Sequence, residues 1–226
     1  MPAGFRSRKL DGKLQFDSNL PLMYLRRTGS VATIAYSGAE SLIRVPVPGS
    51  WLITIVAFQT SGYVVGYQGR DRGNNYSLFT SNAPAGTAMN YYVFDLSTNI
   101  PPSTSGFQTR TLAGEVIFSS RYRVMDMLAA GAGTWPGRSV AVGLPTGGGV
   151  NQHTDINPDS GGYTYHHYFA VYGGSGGGDT VNFGAVVIQD SYVFSPNYPD
   201  GAPDYDRPAP ILAIDVTGVP IGQTFF

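Results

Sequence analysis

The amino-acid sequence predicts an all-β protein, one or two antiparallel β-sandwich domains with Gly/Pro-rich loops, and three observations carry that expectation. Residue types that suit a pleated, half-buried surface are abundant: the 226-residue chain holds 15 Tyr and 12 Phe and is rich in Val and Thr. Strong helix formers are thin, with lysine confined to Lys9 and Lys13. The 30 glycines and 16 prolines stand between short apolar runs, which is the punctuation of many strands and turns. A hydrophobic content of 42% separates the chain from disordered sequences, which bury too little surface to offset chain entropy.

Taken in order, residues 4–18 read as a hairpin. Asp11-Gly12 is a strong turn signal, because both central positions of a type I′ turn need positive φ, and apolar and polar residues alternate on either side. Strands are then expected at 31–36, 42–47, 51–59 and 63–67. Pro46 and Pro48 cannot donate to a ladder, so that stretch belongs at an edge or a corner. A strand at 90–96 precedes Ser97-Thr-Asn-Ile-Pro-Pro-Ser-Thr-Ser-Gly106, the best linker in the chain. The expected division is an N-terminal β domain over 1–98 that includes the hairpin, a linker over 99–106, and a C-terminal β domain over 107–226 with Gly-rich loops. Within the latter, strands are expected at 114–119, 122–127, 139–144, 163–172, 181–188, 191–194 and 210–216, and 125–130 also admits one helical turn. Nothing alternates strand with helix as a doubly wound sheet would.

Several function classes lose support from composition. There is no cysteine, which removes disulfides, thiolate metal sites and thiol nucleophiles. Met1-Pro-Ala-Gly does not open a secretory signal, and no run of about 18 apolar residues occurs, so a protein made in the cytoplasm without a membrane span is expected. The net charge of −1 hides a polarity: residues 1–150 carry 13 Lys/Arg against 7 Asp/Glu, whereas 151–226 carry Arg207 against 8 Asp. A nucleic-acid binder concentrates positive charge without such an acidic complement. Docking or head-to-tail assembly suits this asymmetry, as do ordinary solvated faces.

The motifs that could carry chemistry fail on context. Gly173-Gly-Ser-Gly-Gly177 matches the G-x-S-x-G nucleophile elbow, but a strand follows it where a helix is needed, and no histidine follows His167, so a flexible glycine loop is expected. Gly131, Gly133 and Gly137 miss the dinucleotide spacing by one residue. His153, His166 and His167 are the three histidines; adjacent strand positions face opposite ways, so His166 and His167 cannot chelate one ion, and rim or core positions are preferred over a metal site. Asp155-Ile-Asn157-Pro-Asp159 alternates oxygen ligands like a calcium loop but lacks its glycine and closing glutamate; Asp200, Asp204 and Asp206 form a second acidic loop. Ordinary turn chemistry is the simpler reading of both. No catalytic residue, metal or cofactor is therefore assigned.

At the two ends of the chain a pattern emerges. Gly4-Phe5 with Asp11-Gly-Lys-Leu-Gln-Phe-Asp-Ser18 resembles the opening of a family of small siphophage tail-tip and baseplate proteins. Gly114-Glu-Val-Ile-Phe-Ser-Ser120, Tyr122-Arg-Val-Met-Asp126 and Ile214-Asp-Val-Thr-Gly218 fit the same pattern. The resemblance implies a non-enzymatic structural protein of the virion, located in the phage tail, that contacts other tail-tip or baseplate proteins and has no catalytic residues to carry over. A symmetric homo-oligomer is expected with it, since tail parts match a rotational symmetry, and a host surface receptor is a further candidate partner. Arg6, Arg8 and Lys9 of the hairpin are the candidate attachment residues. Two alternatives stay open. One is a carbohydrate-binding module contacting host glycans through Trp135, Tyr163 and Tyr198; Trp51 reads as core, whereas Trp135, between Gly133 and Pro136, reads as an exposed platform. The other is a depolymerase using the carboxylates Glu40 and Glu115.

Overall fold

The computed structural model describes residues 6–8, 14–17, 22–36, 41–51, 53–96, 106–110, 114, 116–145, 150–159, 162–195 and 210–225, with the backbone alone at 6–8, 14–17, 117, 150–159, 162–171 and 187–195. Every regular element among them is a strand: β1 (Arg6–Arg8), β2 (Leu14–Asp17), β3 (Met23–Ala32), β4 (Ile34–Ala35), β5 (Ser41–Pro46), β6 (Thr54–Gln59), β7 (Val65–Asp71), β8 (Tyr76–Ser81) and β9 (Ala88–Leu96) in the first part. In the second follow β10 (Gln108–Arg110), β11 (Val116–Ser119), β12 (Asp126–Ala130), β13 (Gly133–Thr134), β14 (Val140–Pro145), β15 (Val150–Asp159), β16 (Gly162–Gly177), β17 (Thr180–Ser195) and β18 (Leu212–Asp215). The all-β expectation holds. No described helix is long and apolar enough to cross a membrane.

Two antiparallel sheets form the body. One has the order β12-β18-β14-β6-β9-β3, the other β13-β17-β16-β7-β8-β5-β4 with β15 added on β16, and β1-β2 and β10-β11 are separate hairpins. Between the sheets lies one apolar cluster that includes Ile43, Val45, Phe58, Phe79, Met89, Val93, Val142 and Val181. Phe79 of β8 is the hinge of its aromatic packing, with Phe58 of the facing sheet 4.8 Å away at 75° and Tyr67 5.3 Å away at 65°, the edge-to-face geometry that aromatic quadrupoles favour. β9 shows why a central strand reads as a continuous apolar run: Met89, Tyr91 and Val93 enter this core, while Tyr92 and Phe94 join Leu25, Ala57 and Ile214 in a second cluster on the other face.

The expected two-domain division does not separate two cores. β14 pairs with β6, β16 pairs with β7, and residues from both sides of the 99–106 boundary fill the same apolar cluster. The physical reason is that the seven strands β3 to β9 on the N-terminal side leave sheet edges that the later strands complete. Residues 97–105 of the linker lie outside the described residues. The helical turn admitted at 125–130 is instead β12, which pairs with β18 across a bulge between Met127 and Ala129. Expectation also missed β8, β15 and most of β3.

Edges are handled explicitly. Beyond β3, the Leu25 N–H donates to Arg123, the Thr28 N–H to Gln223, and the Phe225 N–H to Arg26, so two irregular segments cover what would otherwise be an open edge. Pro46 ends β5 where β4 no longer covers it, since β4 pairs only with Ser41 and Leu42. That is the edge position its missing N–H requires.

Candidate functional site

The glycine-rich segment is the largest departure from expectation. Gly173–Gly177 is no loop; it is the last part of β16, laid across the facing sheet. A Cβ on Gly176 would stand 2.6 Å from the Val142 nitrogen, and one on Gly174 would stand 2.6 Å from the Asn182 oxygen, so only glycine admits this approach of backbone to backbone. The Thr60 N–H donates to the Gly176 carbonyl at 2.5 Å, and the Gly176 N–H returns a bond to the Thr60 hydroxyl at 3.1 Å. Ser175 is buried inside this strand, which leaves it without the exposed turn a nucleophile elbow needs.

Before it reaches the body, β16 belongs to a different structure. Residues 162–171 pair with β15 on one side and with the outer part of β17 on the other, from Pro158↔Tyr163↔Ser195 to Val150↔Val171↔Val186. β16 joins β7 only at Gly173 and Gly174. The sixteen residues of β16 span about 50 Å at the usual rise, so this three-stranded arm and the glycine segment divide one strand between two environments. Among the described residues, β15 pairs with β16 alone, and β17 pairs on its outer side only with β13 at Thr180 and Val181.

Of the glycan-contact candidates, Trp135 and Tyr163 are described, and they lie apart. Trp135 packs half-buried against the main core, its ring lying over Gly133 and its backbone N–H donating to the Asp179 carbonyl at 2.7 Å. It is a structural side chain at the hairpin end of β16–β17, which corrects the exposed platform expected for it. Tyr163 sits at the opposite end of β16, roughly 45 Å away along a strand of that length. Tyr198 lies outside the described residues, as do Glu40, Glu115, Lys9 and the second acidic loop of Asp200, Asp204 and Asp206. Trp51 packs on the core as expected, with the Arg26 guanidinium 4.4 Å over its ring.

The N-terminal hairpin forms, pairing Arg6 with Asp17 and Arg8 with Leu14 across a bulge, while its Asp11-Gly12 turn is outside the described residues. Asp155, Asn157 and Asp159 occupy alternate positions of β15, an extended strand rather than the loop a calcium site of that type needs.

Charged groups in the body serve structure. Asp215, almost fully buried, accepts a bond from the Arg138 guanidinium, which also lies 4.0 Å from Asp126. Burial pushes the Asp215 carboxyl up, but bonds from the Thr217 hydroxyl and N–H and from Arg138 outweigh it and hold the pKa below the usual carboxylate value. Burial pushes the Tyr92 phenol up to about 12, with its hydroxyl donating to Gln59 at 2.7 Å. Among the described side chains, no three His, Cys, Asp or Glu groups gather closely enough to hold a metal ion; the side chains of β15 and of the first ten residues of β16 are outside that set. What sequence reasoning missed is register: the β15–β16 pairing sets Asp155 opposite His166, a relation that single-strand periodicity cannot reveal.

No protein-family model matches the chain, and neither a curated protein nor a solved structure matches it.

Proposed function

We propose that the protein is a non-enzymatic structural component of a bacteriophage tail tip or baseplate, docking onto other tail proteins as a homo-oligomer. The observation that carries the reading is the arm. Its outer strands, β15 and most of β17, have no further ladder partner among the described residues. Open backbone donors and acceptors along so long a sheet are a template for strand addition by a neighbouring chain. The resemblance of residues 4–18 to siphophage tail-tip proteins supports the same reading, with Arg6, Arg8 and Lys9 on the hairpin as attachment residues. The glycan-binding alternative draws less support, because Trp135 is half-buried against the core.

Immunogold electron microscopy of intact virions, with antibody raised against the purified protein, tests the proposal. Gold at the distal tail tip is the expected result. Unlabelled virions, in a culture whose infected cells contain the protein, would remove it.

A further inference from the structure

The two segments that close the outer edge of β3 are held in different ways. Residues 123–125 bond to it through the Leu25 N–H to Arg123 and the Met125 N–H to Met23, and Met125 also packs against the apolar cluster of Leu25, Phe94 and Ile214. Residues 220–225 are held by backbone and one hydroxyl. The Thr28 N–H donates to the Gln223 carbonyl at 2.8 Å and the Phe225 N–H to the Arg26 carbonyl at 2.9 Å, while the Thr28 hydroxyl donates to the Pro220 carbonyl and accepts from the Gln223 N–H. All six residues of this strap are exposed, Ile221 and Phe225 included, so none of its side chains is locked in a core. Bonds open to water add little net stability, and six residues lose chain entropy when they are laid down. The strap is therefore poised to open locally, and opening bares ladder groups on Arg26 and Thr28.

The chain leading to the strap favours its transfer. Thr217 is a fixed point: its N–H donates to the Asp215 carboxylate, its hydroxyl accepts from the Ser139 N–H, and its carbonyl accepts from the Arg123 guanidinium. From there to Pro220 the chain turns through Gly218 and Val219 alone, closed by the Val219 N–H bonding to Val216. Straightened, so short a hinge carries the strap off its own edge, and the same edge of another copy offers it the same bonds. We propose that residues 220–225 are an exchange strand that seats on β3 of a second copy of this chain, at Arg26–Thr28, as it does on its own. The occupant is this segment because its register there is already defined by the bridge between Arg27 and Thr224 and the bonds on either side. The inference goes beyond the tail reading, uses an edge of the body and not of the arm, and stands whether or not the protein belongs to a virion.

The chain has no cysteine, so thiols can be placed without interference. Arg27 and Thr224 are the non-hydrogen-bonded pair of the strap, a position where Cα atoms stand about 4.5 Å apart and a disulfide can form. Full-length Arg27→Cys and Thr224→Cys chains are mixed in reduced form at high concentration and then oxidised, and the disulfides are mapped by mass spectrometry. The double variant, Arg27→Cys with Thr224→Cys, is oxidised in parallel at low concentration. A link between positions 27 and 224 of different chains is expected in the mixture. It should exceed the links of like positions by about tenfold or more, since a seated strap holds the two thiols at an effective concentration above that of free collision. The double variant should close within one chain, which shows that fold and geometry survive the substitutions. Closure of the double variant with no excess of the mixed link would overturn the exchange, and a double variant that does not close would remove the strap itself.

Discussion

The sandwich body and the three-stranded arm are built from the same kind of backbone ladder and are held in different ways. In the body every central strand has an opposing layer, and side chains such as Phe58, Phe79 and Val93 are fully enclosed between sheets. In the arm, residues 150–159, 162–171 and 186–195 pair, among the described residues, only with one another. Backbone pairing organises strands in both regions, but an isolated small sheet is marginal in water, and stability comes from burying a face. The junction is the glycine segment of β16, where one strand passes from the arm into close contact with the facing sheet. The contrast teaches that the body is held by side chains packed between its sheets, whereas what is described of the arm is backbone pairing.

Hydrogen exchange on the monomeric protein should show the largest effect. Body amides such as those of Val56 and Val93 should open only with global unfolding, and arm amides by local opening, so exchange rates should differ by about 10³-fold or more. Equal protection in a monomer would break the comparison. Next in size, Phe79→Ala should cost about 4 kcal/mol of body stability in urea denaturation, as transfer and cavity terms add where three rings meet. An unchanged midpoint would mean that the aromatic cluster does not hold the sheets together.

The junction can be probed by a pair of substitutions two residues apart. Gly176→Ala should lose about 3 kcal/mol, because its Cβ would meet backbone that cannot step aside. Gly178→Ala, in a turn with φ of 57° and open space around it, should lose only about 1 kcal/mol, the conformational penalty alone. Thermal melts that rank the two the other way would place the glycine segment in a loop after all. A smaller loss than at Gly176 is expected for Asp215→Asn, at about 2 kcal/mol near neutral pH, the worth of bonds to a charged group. Since the folded carboxyl has a pKa below that of the unfolded chain, its contribution is present above about pH 4 and fades as pH falls through that value and below. The variant's stability curve should therefore be lower at neutral pH and flatter in acid; parallel acid limbs would show that Asp215 is not the group being titrated.

How far the chain could be read in advance depended on whether a segment's neighbours mattered. The 4–18 hairpin was legible because Asp11-Gly12 is a local signal, β6 and β9 because each holds an unbroken apolar run, and β5 because apolar residues flank its single arginine. β8 escaped because Ser77, Thr80 and Ser81 are polar yet buried, and β15 because Asp155, Asn157 and Asp159 carry the pattern of a loop. Gly173–Gly177 read as flexible for a sound local reason, glycine's freedom; here that freedom is spent on close approach to Val142 and Thr60.

Residue content by itself determined that this protein is built of strands, since β-branched and aromatic side chains, frequent glycine and proline breaks and scarce helix formers all act locally. Only the tertiary structure decided which strands are neighbours: that the two parts of the chain share one core, that Trp135 and Tyr163 lie at opposite ends of β16, and that His166 stands opposite Asp155. The reason is that a ladder's hydrogen bonds are nearly the same for any pair of strands, so partner and register are chosen by the faces that must be buried and by the close approaches that only glycine allows.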